Sequence, residues 1–179
     1  MKQTKTKYGK MKQIASNLKL PDYRYEQLTK AIFHQRIDNF HDMHILPKAL
    51  RIALVNEFGK NVSSVTPIFS QDSKQAQKLL FELTDGERIE AVGLKYKQGW
   101  ESFCISSQCG CSFGCRFCAT GSAGFKRNLT ADEITDQLLY FYFNDHRLNS
   151  ISFMGMGEAF ANPELFDAVK ILTDQIYLG

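Results

Sequence analysis

Apolar positions recur at helical spacing in the first third of the chain and at strand spacing beyond it. Tyr25, Leu28 and Ile32, continued by Gln35, follow a helical step, with Ala31 and Phe33 beside them. A second helix opens near Pro47 and runs through Leu50, Leu54 and Phe58. Gly59 then stands where a helix C-terminus favours glycine. Near residue 79 the period changes. Lys78-Leu79-Leu80-Phe81-Glu82-Leu83 predicts a strand, Asp85-Gly86 a hairpin turn, and Arg88 to Tyr96 the returning strand. Gly99 marks another turn, before a strand-like run from Trp100 to Ser107.

A well-marked helix follows. Thr130 and Glu133 form a capping box, and Leu129 and Ile134 occupy the staple positions. Ile134, Leu138, Phe141 and Tyr142 supply its apolar face. Ser150-Ile151-Ser152-Phe153-Met154 predicts a short buried strand, ending in Gly155-Met156-Gly157-Glu158. Asn162-Pro163-Glu164 opens a last helix, with Leu165, Val169, Leu172 and Ile176 on one face. From residue 100 the order is β–loop–α–β–loop–α. That order calls for parallel strands with helical crossovers and places chemistry in the loops at strand C-termini. The expected class is α/β. Residues 1–77 are expected to form a basic helical accessory domain, residues 78–99 a connecting β-hairpin, and residues 100–179 the first βα units of a partial (β/α) barrel.

Composition adds charge asymmetry to this outline. Hydrophobic residues make up 44% and charged residues 23%, as in a folded chain. The net charge is +3. Residues 1–60 hold 12 Lys and Arg against 5 Asp and Glu, whereas the remainder holds 10 against 14. A basic segment beside a mildly acidic body suits a polyanionic partner such as nucleic acid, and it equally suits a solvated surface. No apolar run approaches the roughly 20 residues of a membrane helix, and the basic N-terminus lacks the apolar segment of a secretion signal. A cytoplasmic protein is expected.

All five cysteines lie between Cys104 and Cys118. Clustered thiols in a reducing compartment point to metal binding or catalysis rather than to a disulfide framework. Cys111, Cys115 and Cys118 give C-x3-C-x2-C. Thiolates suit iron–sulfur clusters or zinc, and three ligands on a four-iron cluster leave one iron open to substrate. Structural zinc usually takes four ligands in two separated pairs, and no second pair follows. Cys109 is available as a fourth ligand, although Cys109-Gly110-Cys111 is an unusual pair spacing. The spacing favours iron–sulfur, while zinc and unligated thiols stay open.

Several motifs together resemble one family. C-x3-C-x2-C with Phe117 before its last cysteine resembles the radical S-adenosylmethionine (SAM) signature. The runs Phe103-Cys104-Ile105-Ser106-Ser107-Gln108-Cys109-Gly110-Cys111, Cys118-Ala119-Thr120-Gly121 and Phe125-Lys126-Arg127-Asn128-Leu129-Thr130 resemble the RlmN/Cfr family of 23S rRNA adenine methyltransferases. Lys5-Thr6-Lys7-Tyr8-Gly9-Lys10, Gly99-Trp100-Glu101 and Ala159 after Gly157-Glu158 place the resemblance nearer the Cfr branch.

The resemblance implies that Cys111, Cys115 and Cys118 hold a [4Fe-4S] cluster. It also implies that Gly157 and Glu158 contact the methionyl end of SAM, that Cys104 resolves the methyl-transfer intermediate through a disulfide, and that Glu90 accepts a proton. The bland alternatives are a strand-to-helix turn for Gly157-Glu158, a buried strand thiol for Cys104 and a solvated glutamate for Glu90. The implied reaction methylates adenine at C8, or at C2 in the RlmN branch. It uses 23S rRNA as substrate and an electron donor such as flavodoxin, and methylation at C8 obstructs ribosome-targeting antibiotics. Arg116, Lys126 and Arg127 are candidates for RNA phosphates or for simple surface charge.

The family's methyl-accepting cysteine lies far beyond the cluster loop, and no cysteine follows Cys118. A complete (β/α)₈ barrel takes about 250 residues, and only two βα units are visible. The chain is therefore expected to be a truncated piece of a longer protein, inactive alone as a methyltransferase.

Overall fold

The computed structural model describes residues 5–173. These fall into two compact units, one running through Ser63 and one of Ser64–Thr173.

In the first unit, α1 (Lys7–Asn17), α2 (Tyr23–Phe33) and α3 (Lys48–Phe58) bury Tyr8, Met11, Leu28, Ile32, Leu50 and Leu54. Thr6 caps α1 by accepting from the Gly9 N–H (3.4 Å). Gly59 closes α3 with φ +83°, a left-handed position that glycine takes without steric cost, and its N–H donates to Val55 O (2.9 Å). Pro47 stands one residue ahead of the helix, and Gln35 lies past the end of α2.

The second unit is built on a mixed sheet. Its strands are β1 (Thr66–Asp72), β2 (Ala76–Glu82), β3 (Arg88–Lys95), β4 (Glu101–Cys104) and, last in sequence, β7 (Ser150–Ser152), in that spatial order. The first four pair antiparallel. β4 and β7 pair parallel, with Cys104 opposite Ser152. Between them lie β5 (Gln108–Gly110), α4 (Ala119–Ser122), β6 (Phe125–Asn128) and α5 (Ala131–Phe143). α5 is the crossover helix. Its capping box forms as the sequence predicts, with Glu133 N–H on Thr130 Oγ1 (3.2 Å) and Thr130 N–H on Glu133 Oε2 (2.9 Å).

One face of the sheet packs under α5. Leu79, Phe81, Ile89, Ala91 and Phe103 are buried there, and the Phe103 and Phe141 rings lie 4.6 Å apart. Gly93 makes this approach possible, since a Cβ would stand 3.0 Å from the Phe103 ring and 3.2 Å from that of Phe141. The alternate positions Glu90, Val92 and Leu94 are half-exposed on the opposite face.

The sequence reading and the fold differ in four places. Residues 64–77, expected within the helical domain, contain β1 and belong to the sheet-bearing unit. The 78–99 segment, expected as a connecting hairpin, forms the middle of the sheet. The strand expected to run to Ser107 stops at Cys104, and β5 pairs elsewhere. The last helix, α6 (Leu165–Ile171), starts later than Asn162; Asn162 Oδ1 accepts from Glu164 N–H (3.0 Å), just ahead of it. Ile176 and the Tyr177-Leu178-Gly179 terminus lie outside the described residues.

Candidate cofactor site

β5 and β6 pair antiparallel and close the neck of the cysteine loop. Gly110 (φ +74°) lies so close to Gly124 that a Cβ would collide with the Gly124 carbonyl, and Cys111 N–H donates to that same oxygen (3.1 Å). Beyond the neck, Cys115 is exposed while Cys111 and Cys118 are half-buried. Phe117 is 94% exposed. None of the three thiols is in a disulfide. The backbone N–H groups of Gly121 and then Thr120, with the Thr120 side chain, hold the Cys118 thiol below its ordinary range. That environment favours the thiolate, the form that binds metal.

Among the described residues, no three His, Cys, Asp or Glu side chains converge on a point that would hold one ion. A short loop with three reduced thiols, pinched at its base, offers the thiolate donors that an iron–sulfur cluster or a zinc ion would take. Cys109 differs from them. It is 1% exposed, and burial pushes its thiol up to about 11, so it behaves as a small core residue.

The glycine-rich turn after β7 docks on the same segment that leads into β5. Gly155 N–H donates to Ile105 O (3.0 Å), and a Cβ on Gly155 would stand 2.7 Å from the Ile105 carbonyl carbon. The Ser107 and Gln108 N–H groups both donate to Met156 O (2.9 and 3.1 Å). Ser106 Oγ donates to Glu90 O (2.6 Å) and accepts from Met156 N–H (2.8 Å). Gly157 takes φ +100°. Glu158 N–H donates to Gln108 Oε1 (2.9 Å), and Glu158 Oε1 accepts from Phe160 N–H (3.1 Å). Its Oε2 has no hydrogen bond among the described residues. A fixed carboxylate with one open oxygen is suited to accept from an ammonium group.

Glu90 and Cys104 share the half-exposed face of the sheet. Cys104 is opposite Val92, and Glu90 is the next position on that face of β3. Glu90 pairs with Lys78 Nζ at 2.8 Å. Ser102, Ser150 and Ser152 lie on the same face by register, so this side of the β4–β7 pair is polar. The structure thus brings the cysteine-loop neck together with the Gly157-Glu158 turn, and Glu90 together with Cys104.

Sequence reasoning missed the buried polar residues that hold this arrangement. Gln137, fully buried, accepts from Ser106 N–H (2.8 Å) and donates to Ser106 O (2.9 Å). Asn162 Nδ2 donates to Ser107 O (2.7 Å) and Leu129 O (2.8 Å). The available signal was the polar run Ser106-Ser107-Gln108 directly after an apolar strand. Arg127, a candidate for RNA phosphate, is instead engaged by carboxylates. It forms a bidentate pair with Glu133 (2.8 Å each) and meets Asp85 Oδ2 at 2.7 Å. Those contacts raise its pKa, Glu133 contributing most, and hold the Asp85 carboxyl below its usual range.

Residues 105–177 match the radical SAM superfamily. The chain is 98% identical over 179 residues to the ribosomal RNA large subunit methyltransferase Cfr of Clostridium botulinum (strain Hall), covering all of this chain and 52% of that protein. Proteins of the same name from Lachnoclostridium phytofermentans and Staphylococcus aureus are 62% and 58% identical over 174 and 170 residues. They cover 97% and 95% of this chain, and 51% and 49% of their own lengths. Among solved structures, a radical SAM methyltransferase from Sphaerobacter thermophilus superimposes with a TM-score of 0.84 at 31% identity, over 96% of this chain and 51% of that one. The chain therefore spans about half the length of the curated relatives it matches. The resemblance read from the motifs holds along the whole chain, and the α/β architecture with a mixed sheet is the radical SAM fold. That superfamily uses a [4Fe-4S] cluster and S-adenosylmethionine.

Proposed function

From a radical SAM fold and near-identity to about half of an rRNA methyltransferase, we propose that this chain supplies the cluster- and SAM-binding portion of a 23S rRNA adenine C8-methyltransferase. The observation that carries the reading is the shared anchorage of two elements. The neck of the cysteine loop and the Gly157-Glu158 turn are both fastened to Ser106–Gln108.

In this reading Cys111, Cys115 and Cys118 hold the cluster, which with SAM supplies an open iron and reductive cleavage of a sulfonium. Gly157 lets the backbone approach the methionyl group, and Glu158 Oε2 accepts from its ammonium. Cys104 and Glu90, on one face of the sheet, serve thiol exchange and proton acceptance. The basic helical segment acts as an accessory surface toward rRNA, where 12 Lys and Arg stand against 5 Asp and Glu in residues 1–60. A flavodoxin-type donor provides the electron, and the reaction takes place in the cytoplasm. Methylation at C8 by the whole protein would obstruct ribosome-targeting antibiotics.

The test is anaerobic reconstitution of the chain followed by iron, sulfide and zinc analysis. About four irons with matching sulfide per chain are expected, falling steeply in Cys111→Ala, Cys115→Ala and Cys118→Ala. One tightly held zinc without sulfide would overturn the reading in favour of a zinc-dependent RNA-binding module.

A further inference from the structure

We propose that Gln108 is a positioning residue that couples the neck of the cysteine loop to the Gly157-Glu158 turn, so that the two halves of the cofactor site keep one mutual register. The inference rests on the functional reading above and goes beyond it, since Gln108 is neither a cysteine ligand nor part of the turn.

Gln108 is 2% exposed, and both ends of its amide are committed to different elements. Oε1 accepts from Glu158 N–H at 2.9 Å, and Nε2 donates to Asn128 Oδ1 at 2.8 Å. Asn128 is its cross-strand partner on β6, the strand by which the chain leaves the cysteine loop. The Gln108 N–H also donates to Met156 O (3.1 Å). One residue therefore holds the turn by main chain and side chain while gripping the far strand of the neck.

Gly157 completes the fit. A Cβ there would stand 2.5 Å from Gln108 Cβ and 2.7 Å from its Cγ, so the turn can lie against this side chain only as glycine. The chemistry selects an amide. A carboxylate offers no donor to Asn128 Oδ1, a leucine of similar size offers neither donor nor acceptor, and an asparagine is one methylene too short to span both partners. Loss of this part-buried bond takes away the acceptor that holds the Glu158 N–H. The turn then loses its fixed distance from the loop that carries the thiols.

The coupling is tested from the end remote from the turn. Asn128→Leu removes the bond at the neck and leaves the Glu158 N–H acceptor in place. Hydrogen exchange of the 179-residue chain should show the Glu158 amide exchanging about tenfold faster in this variant, the factor equivalent to one hydrogen bond of ordinary strength. Gln108→Leu should give at least the same change. If Gln108→Leu does not fold, Asn128→Leu alone decides. In the reconstituted chain, Asn128→Leu should keep wild-type iron and sulfide while its affinity for SAM, measured by equilibrium dialysis, falls about tenfold. Faster exchange confined to residues 125–128, with Glu158 unchanged, would overturn the coupling. So would unchanged SAM affinity. A wild-type chain that takes up no iron or sulfide would instead defeat the functional reading, and the exchange measurement would still judge the coupling.

Discussion

Replacing Gln137 with leucine isolates the contribution of one buried amide to the strand that carries the site. Gln137 and Ser106 are both fully buried. Gln137 Oε1 accepts from Ser106 N–H (2.8 Å), and Nε2 donates to Ser106 O (2.9 Å) and Glu133 O (3.2 Å). Leucine nearly conserves the volume, so the packing term is small. What remains is two backbone groups of Ser106 buried without partners. Each costs about 1–3 kcal/mol, which gives about 3 kcal/mol net once the greater burial of an apolar side chain is set against it. The single tryptophan, Trp100, lies in the same compact unit and reports its unfolding in urea. With a slope of ~2 kcal/mol per molar, the midpoint should fall by about 1.5 M. A midpoint within ~0.3 M of wild type at unchanged slope would refute the claim that these two bonds sustain the Ser106 region.

Three further outcomes are expected. Arg127→Met should lower stability near neutral pH and flatten the acid limb of the stability profile. The Asp85 carboxyl is held below its usual range by Arg127, so the pair stabilises the fold above about pH 4 and is lost as pH falls through the depressed value. Urea midpoints between pH 6 and pH 3 should therefore fall less steeply in the variant. Gly110→Ala places a methyl against the Gly124 carbonyl at a left-handed position and should open the loop neck, lowering iron uptake in reconstitution well below wild type while the helical signal of the first unit persists. On the proposed reading, the 179-residue chain should transfer no methyl group to rRNA in a radiolabelled SAM assay, since it spans about half the length of the curated methyltransferases it matches.

The elements with strong local chemistry were legible. The capping box of α5 and the glycine closing α3 are written in residue types that have few other uses, and both form where the sequence puts them. β1 was not legible because it has no buried face: every residue from Thr66 to Asp72 is exposed, Pro67 interrupts the run, and the register shifts beside it. Such an edge strand exists through its ladder with β2 and leaves no period to detect. The β5–β6 neck was missed for a related reason. Strands of three and four residues are too short for alternation, and their pairing depends on Gly110 meeting Gly124 across a loop. The cysteine spacing announced a candidate metal loop, whereas the means of holding it lay in Gln108, Gln137 and Asn162. Their amides look like surface residues until the contacts are known.

Those three amides explain how a loop is launched from the end of a strand without disordering its root. β4 leaves the sheet at Cys104, and the backbone groups that follow need new partners. Ile105 N–H still reaches Ser152 O (2.9 Å), and Ile105 O takes Gly155 N–H (3.0 Å). Both groups of Ser106 go to Gln137. Ser107 gives its N–H to Met156 O and receives Leu129 N–H (3.1 Å) and Asn162 Nδ2 on its carbonyl. Gln108 N–H goes to Met156 O as well. Side chains and turns thus replace the ladder residue by residue, from β7 and the turn after it, from helix α5, from the segment after β6 and from Asn162 ahead of α6. The root of the cysteine loop is consequently tied to several elements at once, while the thiols beyond Gly110 remain on an accessible segment. Hydrogen bonding at the root and exposure at the tip are thus supplied by different residues.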